Sequence, residues 1–214
     1  MSLRAFISVN IPSTPEIDDT LRNLAGCVRS VTWVKRENLH FTLKFLGQIE
    51  EKSVSGISAA LRDVSARYVP FGISLKSVGA FPGEMRPKVV WIGMEEIRIG
   101  PEDGRIGPVG THGSGTMAAI QAEIEDALAF LGFKKEDRPF SPHLTIGRVK
   151  NREGQNLTAN KILAEKIGLS KGFNYGTFEV SSICLMRSDL LPTGPRYTVI
   201  EEFPLGLSSP LKRV

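Results

Sequence analysis

The chain has 214 residues, of which 41% are hydrophobic, enough to build a sizeable core in one large domain or two small lobes. No apolar run approaches the roughly 18 residues of a membrane span, and the first residues lack the apolar segment and cleavage site of a signal peptide, so we expect a cytoplasmic protein. The formal net charge of +4 mildly favours a polyanionic partner.

The first part of the chain alternates between strand and helix patterns. Thr14 followed by Pro15 is typical of a helix start, because threonine caps the first turn and proline fits within it. In chain order, the patterns predict a strand over 4–11, a helix over 14–29, a turn over 35–38, a strand over 39–49, a helix over 50–68, and strands over 71–81 and 88–94.

Residues 95–115 differ in composition from the rest of the chain, since they are rich in glycine and show little hydrophobic periodicity. We interpret them as a long inserted loop, which carries the third histidine, His112. Beyond the loop, the patterns predict a helix over 116–131, a strand over 141–149, a helix over 159–167, and strands over 178–186 and 197–203.

The order of these elements indicates the fold class. The strand–helix–strand order occurs about twice, and the strands after residue 71 are often joined by short turns, which favours antiparallel pairing. The sequence therefore predicts an α+β fold, built as two similar lobes.

Two short segments repeat one pattern. His40-Phe41-Thr42-Leu43 and His143-Leu144-Thr145-Ile146 each read histidine, apolar, threonine, apolar, and the chain has only three histidines. In a strand, residues i and i+2 share a face, so each histidine lies beside its threonine. If the two strands are neighbours, one imidazole can activate water and the other can protonate a leaving oxygen, while the hydroxyls hold a phosphate.

Strict alternation also assigns faces to the residues that follow. It places Lys44 on the face of His40 and Thr42, and it places Phe45 on the opposite, buried face. It places Arg148 on the apolar face of its strand, from which a bulge near Gly147 would be needed to reach the site.

These residues carry a resemblance to a known family, the two-histidine phosphoesterases, and within it to the LigT-like RNA 2′,3′-cyclic phosphodiesterases, once called 2′-5′ RNA ligases. The matching segments are spread over nearly the whole chain: 4–7, 33–47, 81–87, 142–148 and 194–197. The resemblance implies a bilobal fold of pseudo-twofold duplicated lobes, in which antiparallel sheets flank a central cleft and helices lie outside. It also implies one domain over 1–214 with the insertion at about 95–115.

The resemblance further implies an activity and roles for individual residues. The reaction would be hydrolysis of an RNA 2′,3′-cyclic phosphate to a 2′-phosphate and a free 3′-hydroxyl. His40 would be the proton donor and His143 the proton acceptor, with Thr42, Thr145 and Arg148 binding the substrate.

No metal and no cofactor is expected, because the chain has neither an HExxH motif nor a carboxylate cluster near either histidine. We expect a monomer that acts on RNA with 2′,3′-cyclic phosphate ends and does not bind a membrane. Three alternatives stay open: a 2′-5′ RNA ligase, a phosphodiesterase for small cyclic nucleotides at the same site, and a non-catalytic RNA-binding module.

Overall fold

The computed structural model describes residues 1–28, 31–97, 115–150, 157–192 and 194–206. Across these residues nine strands and four α-helices form an α+β fold. The strands are β1 (Ser2–Asn10), β2 (Val31–Trp33), β3 (His40–Glu50), β4 (Phe71–Phe81), β5 (Val89–Ile97), β6 (Leu144–Val149), β7 (Asn174–Val180), β8 (Ser182–Leu191) and β9 (Gly194–Pro204). The helices are α1 (Pro15–Cys27), α2 (Val54–Ser65), α3 (Thr116–Ala129) and α4 (Leu157–Leu169).

All nine strands belong to one antiparallel sheet, in the order β7-β4-β5-β6-β3-β1-β8-β9, with β2 paired to β6. The order is symmetric about the contact between β6 and β3. One half of the sheet is β3-β1-β8-β9, and the other is β6-β5-β4-β7. The predicted pseudo-twofold, bilobal α+β architecture is therefore confirmed.

Each half of the sheet carries two helices. Helices α2 and α3 pack against each other and against strands of the first half, whereas α1 and α4 pack together against the second half. As predicted, the Thr14 hydroxyl caps α1 and accepts a hydrogen bond from the backbone N–H of Ile17. Burial of the apolar faces between sheet and helices forms a single large core.

Three differences from the sequence prediction concern the sheet. The short strand β2, which ends at Trp33 just before the predicted turn, was not predicted, and it pairs with β6. The strand predicted over 178–186 is two strands separated at Ser181, since β7 pairs with β4 while β8 pairs with β1 in the other half of the sheet. The predicted loop over 95–115 begins later, because β5 continues to Ile97. The remainder of that loop, including His112, lies outside the described residues.

Candidate active site

The two repeated motifs lie on the two central strands. Strand β3 pairs with β6 through one register position, Phe41 opposite Leu144, and both of these side chains are fully buried in the core. Because neighbouring residues of a strand point to opposite faces, the histidine and threonine of each motif lie on the other side of the sheet. The structure thus brings His40, Thr42 and the second motif together at the centre of one face.

Each imidazole is oriented by the backbone two residues before it. The Nδ1 atom of His40 lies 2.6 Å from the carbonyl oxygen of Asn38, and the Nδ1 atom of His143 lies 2.7 Å from the carbonyl oxygen of Ser141. A carbonyl oxygen can only accept, so each Nδ1 carries the proton and donates it. In the neutral form, Nε2 is then the nitrogen that can accept a proton, and in the charged form it can donate one.

The two histidines have different surroundings. His40 packs against Phe6, with ring centroids 5.0 Å apart, and against Tyr197 at 5.3 Å. Burial lowers the pKa of His40; the hydrogen bond to the Asn38 carbonyl opposes this, and the positive charges of Arg148 and His143 lower it further. In the free protein, His40 therefore favours the neutral form more than an exposed histidine does.

A bulge in β6 places Arg148 on the site face. Arg148 lies opposite Val89, and Thr145 lies opposite Trp91. The stretch of β6 from Thr145 to Arg148 is therefore one residue longer than the stretch of β5 that pairs with it. Since Val89 and Trp91 share a face, Arg148 shares a face with Thr145. The placement of Arg148 on the apolar face by strict alternation is therefore wrong, because β6 contains the bulge that alternation leaves out.

Gly147 directly follows the extra residue of this bulge, Ile146, and close packing leaves no room for a side chain there. A Cβ atom at position 147 would lie 2.7 Å from Cγ1 of Val31 and 2.8 Å from the ring of Trp33. Both side chains belong to β2, which pairs with this part of β6. The absence of a side chain at Gly147 lets β2 close over the bulge that turns Arg148.

A second bulge, in β3, reverses two further assignments. Thr42 lies opposite Ser8, whereas Lys44 lies opposite Ile7 and Phe45 opposite Phe6, so Leu43 is the extra residue. Lys44 is turned into the core and is only 6% exposed. Phe45 stands on the site face and is 61% exposed. The assignment of Lys44 to the site face and of Phe45 to the core is therefore wrong.

The two bulges occupy the same place in the two motifs. In each, the extra residue directly follows the threonine, so the third residue after the threonine returns to the site face. That residue is Phe45 in the first motif and Arg148 in the second. The site is thus pseudo-symmetric in its histidines and threonines, and asymmetric in presenting an aromatic ring on one strand and a guanidinium on the other.

A cleft of about 870 Å³ opens over this face. Its floor includes Thr42, His143, Thr145 and Arg148. One wall is the segment 134–141, and the other contains Phe81, Pro82, Lys88 and Val89. Phe81 packs edge-on against His143, with centroids 5.1 Å apart.

Sequence reasoning missed several of these contributors. It did not identify the carbonyl groups of Asn38 and Ser141 as the partners of the imidazoles, nor Phe81 as a neighbour of His143. The one available signal is that both carbonyl groups stand two residues before a motif histidine, which becomes visible when the two motifs are aligned.

The described ranges contain neither a metal-binding cluster nor a membrane-spanning helix. In these parts of the chain, no three His, Cys, Asp or Glu side chains gather as a metal ion would require. The helices described here also fall short of the length and apolar character needed to cross a bilayer.

A duplicated half-sheet with a His-x-Thr pair on each central strand defines the two-histidine phosphoesterase class. The chain belongs to the 2′-5′ RNA ligase superfamily, whose family model matches residues 12–190.

Curated relatives cover nearly the whole chain. It is 35% identical over 210 residues to the RNA 2′,3′-cyclic phosphodiesterase of Methanothermobacter thermautotrophicus, covering 96% of this chain and 100% of the relative. It is 34% identical over 206 residues to the protein of the same name from Aquifex aeolicus, covering 95% of this chain and 98% of the relative.

Solved structures share the fold. TT0787 of Thermus thermophilus has a TM-score of 0.68 at 23% identity, and E. coli LigT complexed with 3′-AMP has a TM-score of 0.64 at 20% identity. Each comparison covers 97% of this chain and 100% of the other.

Proposed function

We propose that this protein hydrolyses 2′,3′-cyclic phosphate ends of RNA to 2′-phosphates, with His40 and His143 as the acid–base pair. The observation that carries the proposal is the equivalent placement of two imidazoles, each with Nδ1 bound to a backbone carbonyl, on the two central strands. The names of the curated relatives support the substrate, since both are RNA 2′,3′-cyclic phosphodiesterases.

In the proposed reaction, His143 takes a proton from water as the water oxygen forms a bond to phosphorus. The bond between phosphorus and the 3′-oxygen breaks, and His40 gives its proton to that oxygen. The products are a 2′-phosphate and a 3′-hydroxyl. The assignment of donor and acceptor follows the family resemblance. Each proton transfer contributes roughly 10²–10⁴ in rate.

The other polar groups on the face act on the phosphate. The hydroxyls of Thr42 and Thr145 donate hydrogen bonds to its non-bridging oxygens, and Arg148 supplies a positive charge beside them. Binding of the anionic phosphate raises the pKa of His40 from its lowered value in the free protein, because the negative charge favours the imidazolium. Substrate binding thus favours the charged form of the proposed proton donor.

Phe45 offers a surface for the terminal base. It is exposed on the site face, three residues beyond Thr42, and its ring lies 6.3 Å from that of Phe6. Bases stack on exposed aromatic side chains with little dependence on sequence.

The test is product analysis on an RNA oligonucleotide that ends in a 2′,3′-cyclic phosphate, by phosphorus NMR with a chelator present. We expect the wild type to give the 2′-phosphate, and His40→Ala and His143→Ala each to lose most of the rate. The double variant should be no worse than about the poorer single variant, because the two groups act as a unit. Full activity in either single variant, or loss of activity on chelation, would refute the scheme.

The same experiment separates the other functions. A 2′-5′ linked product would indicate ligation, which microscopic reversibility permits at the same site. Hydrolysis of small cyclic nucleotides alone would indicate the narrower phosphodiesterase, and binding without turnover would indicate an RNA-binding module. The monomeric state and the cytoplasmic location stay predictions.

A further inference from the structure

We propose that the cleft binds the RNA strand beyond its terminal nucleotide, with the phosphodiester backbone running between two cationic walls. This inference rests on the proposed function, and it adds the residues that distinguish a polynucleotide from a mononucleotide. The walls are the segment 134–141, here called the basic wall, and the facing residues Phe81 and Lys88.

The basic wall carries exposed cations that are weakly engaged. All of its residues line the cleft, and they include three basic and two acidic side chains. The Arg138 side chain is 89% exposed, and its contact with Glu136, at 3.7 Å, is longer than a hydrogen bond. Lys134 pairs with Asp137 at 2.7 Å and Lys135 pairs with Asp126, but all four side chains are exposed, and such pairs contribute little. A phosphate can therefore engage these cations at small cost.

The facing wall adds a cation that is free among the described residues. Lys88 is exposed, and no carboxylate in the described part of the chain pairs with it. Its backbone is fixed on both sides, because its N–H donates to the Phe81 carbonyl at 2.7 Å and its carbonyl accepts from Val149 at 3.0 Å. Lys88 lines the cleft together with Thr145 and Arg148, so its cation adjoins the phosphate-binding end of the site.

A buried network holds the basic wall in place. The Nζ atom of Lys44 donates to the carbonyl of Lys134 at 2.8 Å, and the N–H of Glu136 donates to the Glu125 carboxylate at 3.2 Å. Lys44 and Glu125 themselves form an ion pair inside the core. The wall is thus anchored to β3 and α3, and its backbone is already ordered before a strand binds.

The number of charges decides between a mononucleotide and a strand. A terminal nucleotide with a 2′,3′-cyclic phosphate carries one phosphate, and Thr42, Thr145 and Arg148 already serve it. Each further nucleotide adds one phosphodiester charge, which is what Lys88 and Arg138 can neutralise. Cations flanked by aromatic rings, here Phe81 and Phe140, are the surface that binds single-stranded nucleic acid.

The experiment compares kcat/KM for a 2′,3′-cyclic mononucleotide and for a tetranucleotide with the same terminal nucleotide, over a range of salt concentrations. We expect the wild type to prefer the tetranucleotide, and the variant Lys88→Gln/Arg138→Gln to lose most of that preference. The slope of log kcat/KM against log salt should fall by about 0.7 for each phosphate that is no longer neutralised. The matched controls Lys171→Gln and Arg22→Gln change exposed cations outside the cleft and should leave the preference unchanged.

Equal kcat/KM for the two substrates at low salt, or an unchanged preference in the double variant, would overturn the inference while leaving the proposed function intact. Hydrolysis of neither substrate would overturn the proposed function instead. In that case, fluorescence anisotropy of a labelled tetranucleotide ending in a 2′-phosphate tests the walls without turnover. If the wild type and the double variant bound this tetranucleotide equally well, the proposed role of the two walls would be rejected.

Discussion

The buried ion pair between Lys44 and Glu125 makes a quantitative prediction about stability. Their side chains are 5% and 10% exposed. Lys44→Met leaves the Glu125 carboxylate buried, and its remaining donors among the described residues are the amide of Gln121, at 3.1 Å, and the N–H of Glu136. Breaking a buried pair by removing one partner costs about 3–5 kcal/mol, and we expect a loss in this range.

The double variant Lys44→Met/Glu125→Leu should recover part of that loss, since apolar residues replace a buried pair with little net cost. The carbonyl of Lys134, the N–H of Glu136 and the amide of Gln121 still lose their partners. At about 1 kcal/mol for each hydrogen bond, the double variant should be more stable than Lys44→Met, and its free energy of unfolding should lie within about 3 kcal/mol of the wild-type value.

Urea unfolding measures both changes, provided that the dependence of the unfolding free energy on urea concentration is the same in all variants. Hydrolysis of a cyclic mononucleotide by the double variant gives a second reading, because Lys44 faces the core and should not be required for the chemistry. If Lys44→Met is as stable as the wild type but inactive, Lys44 faces the substrate, and the bulge at Leu43 is refuted.

Three further predictions concern the face of the site. Gly147→Ala should lower the free energy of unfolding in urea by about 1–3 kcal/mol, because its Cβ would overlap β2. The control Gly168→Ala, whose Cβ would meet no atom within 4 Å, should raise it by up to about 1 kcal/mol. Equal effects of the two substitutions would contradict the packing of β2. Sulfate should bind more tightly as the pH falls through and below the ordinary histidine pKa of 6.5, with proton uptake measured by calorimetry, because the pKa of His40, lowered in the free protein, rises beside an anion. His40→Gln should reduce the proton uptake, and an unchanged uptake would contradict this. Phe45→Ala should raise KM by the equivalent of about 1–3 kcal/mol of stacking with little change in stability, and an unchanged KM would exclude base stacking at Phe45.

Most of the elements could be predicted from the sequence, because each depends on local patterns. Alternation over His40 to Thr42 and over His143 to Thr145 survives in the structure, since the strands are regular there. That the two strands are neighbours was an assumption, and the pairing of β3 with β6 now shows it.

The faces of Lys44, Phe45 and Arg148 could not be predicted by alternation, because one extra residue shifts every later side chain to the other face. A bulge is set by register with the neighbouring strand, which a single sequence does not contain. The break at Ser181 was missed for a related reason. No glycine or proline marks it, and the chain moves there from one half of the sheet to the other.

The strand order has a consequence for how the chain could be divided. The segment up to Ile97 supplies β3 and β1 to one half of the sheet and β4 and β5 to the other, while the segment from Thr116 supplies β8 and β9 to the first half and β6 and β7 to the second. A cut between the two segments would therefore leave each fragment with two strands of each half and one motif histidine. Neither fragment contains a complete half-sheet, so the two fragments would have to fold together. If activity returned when they were mixed, it would show that the two fragments complement each other.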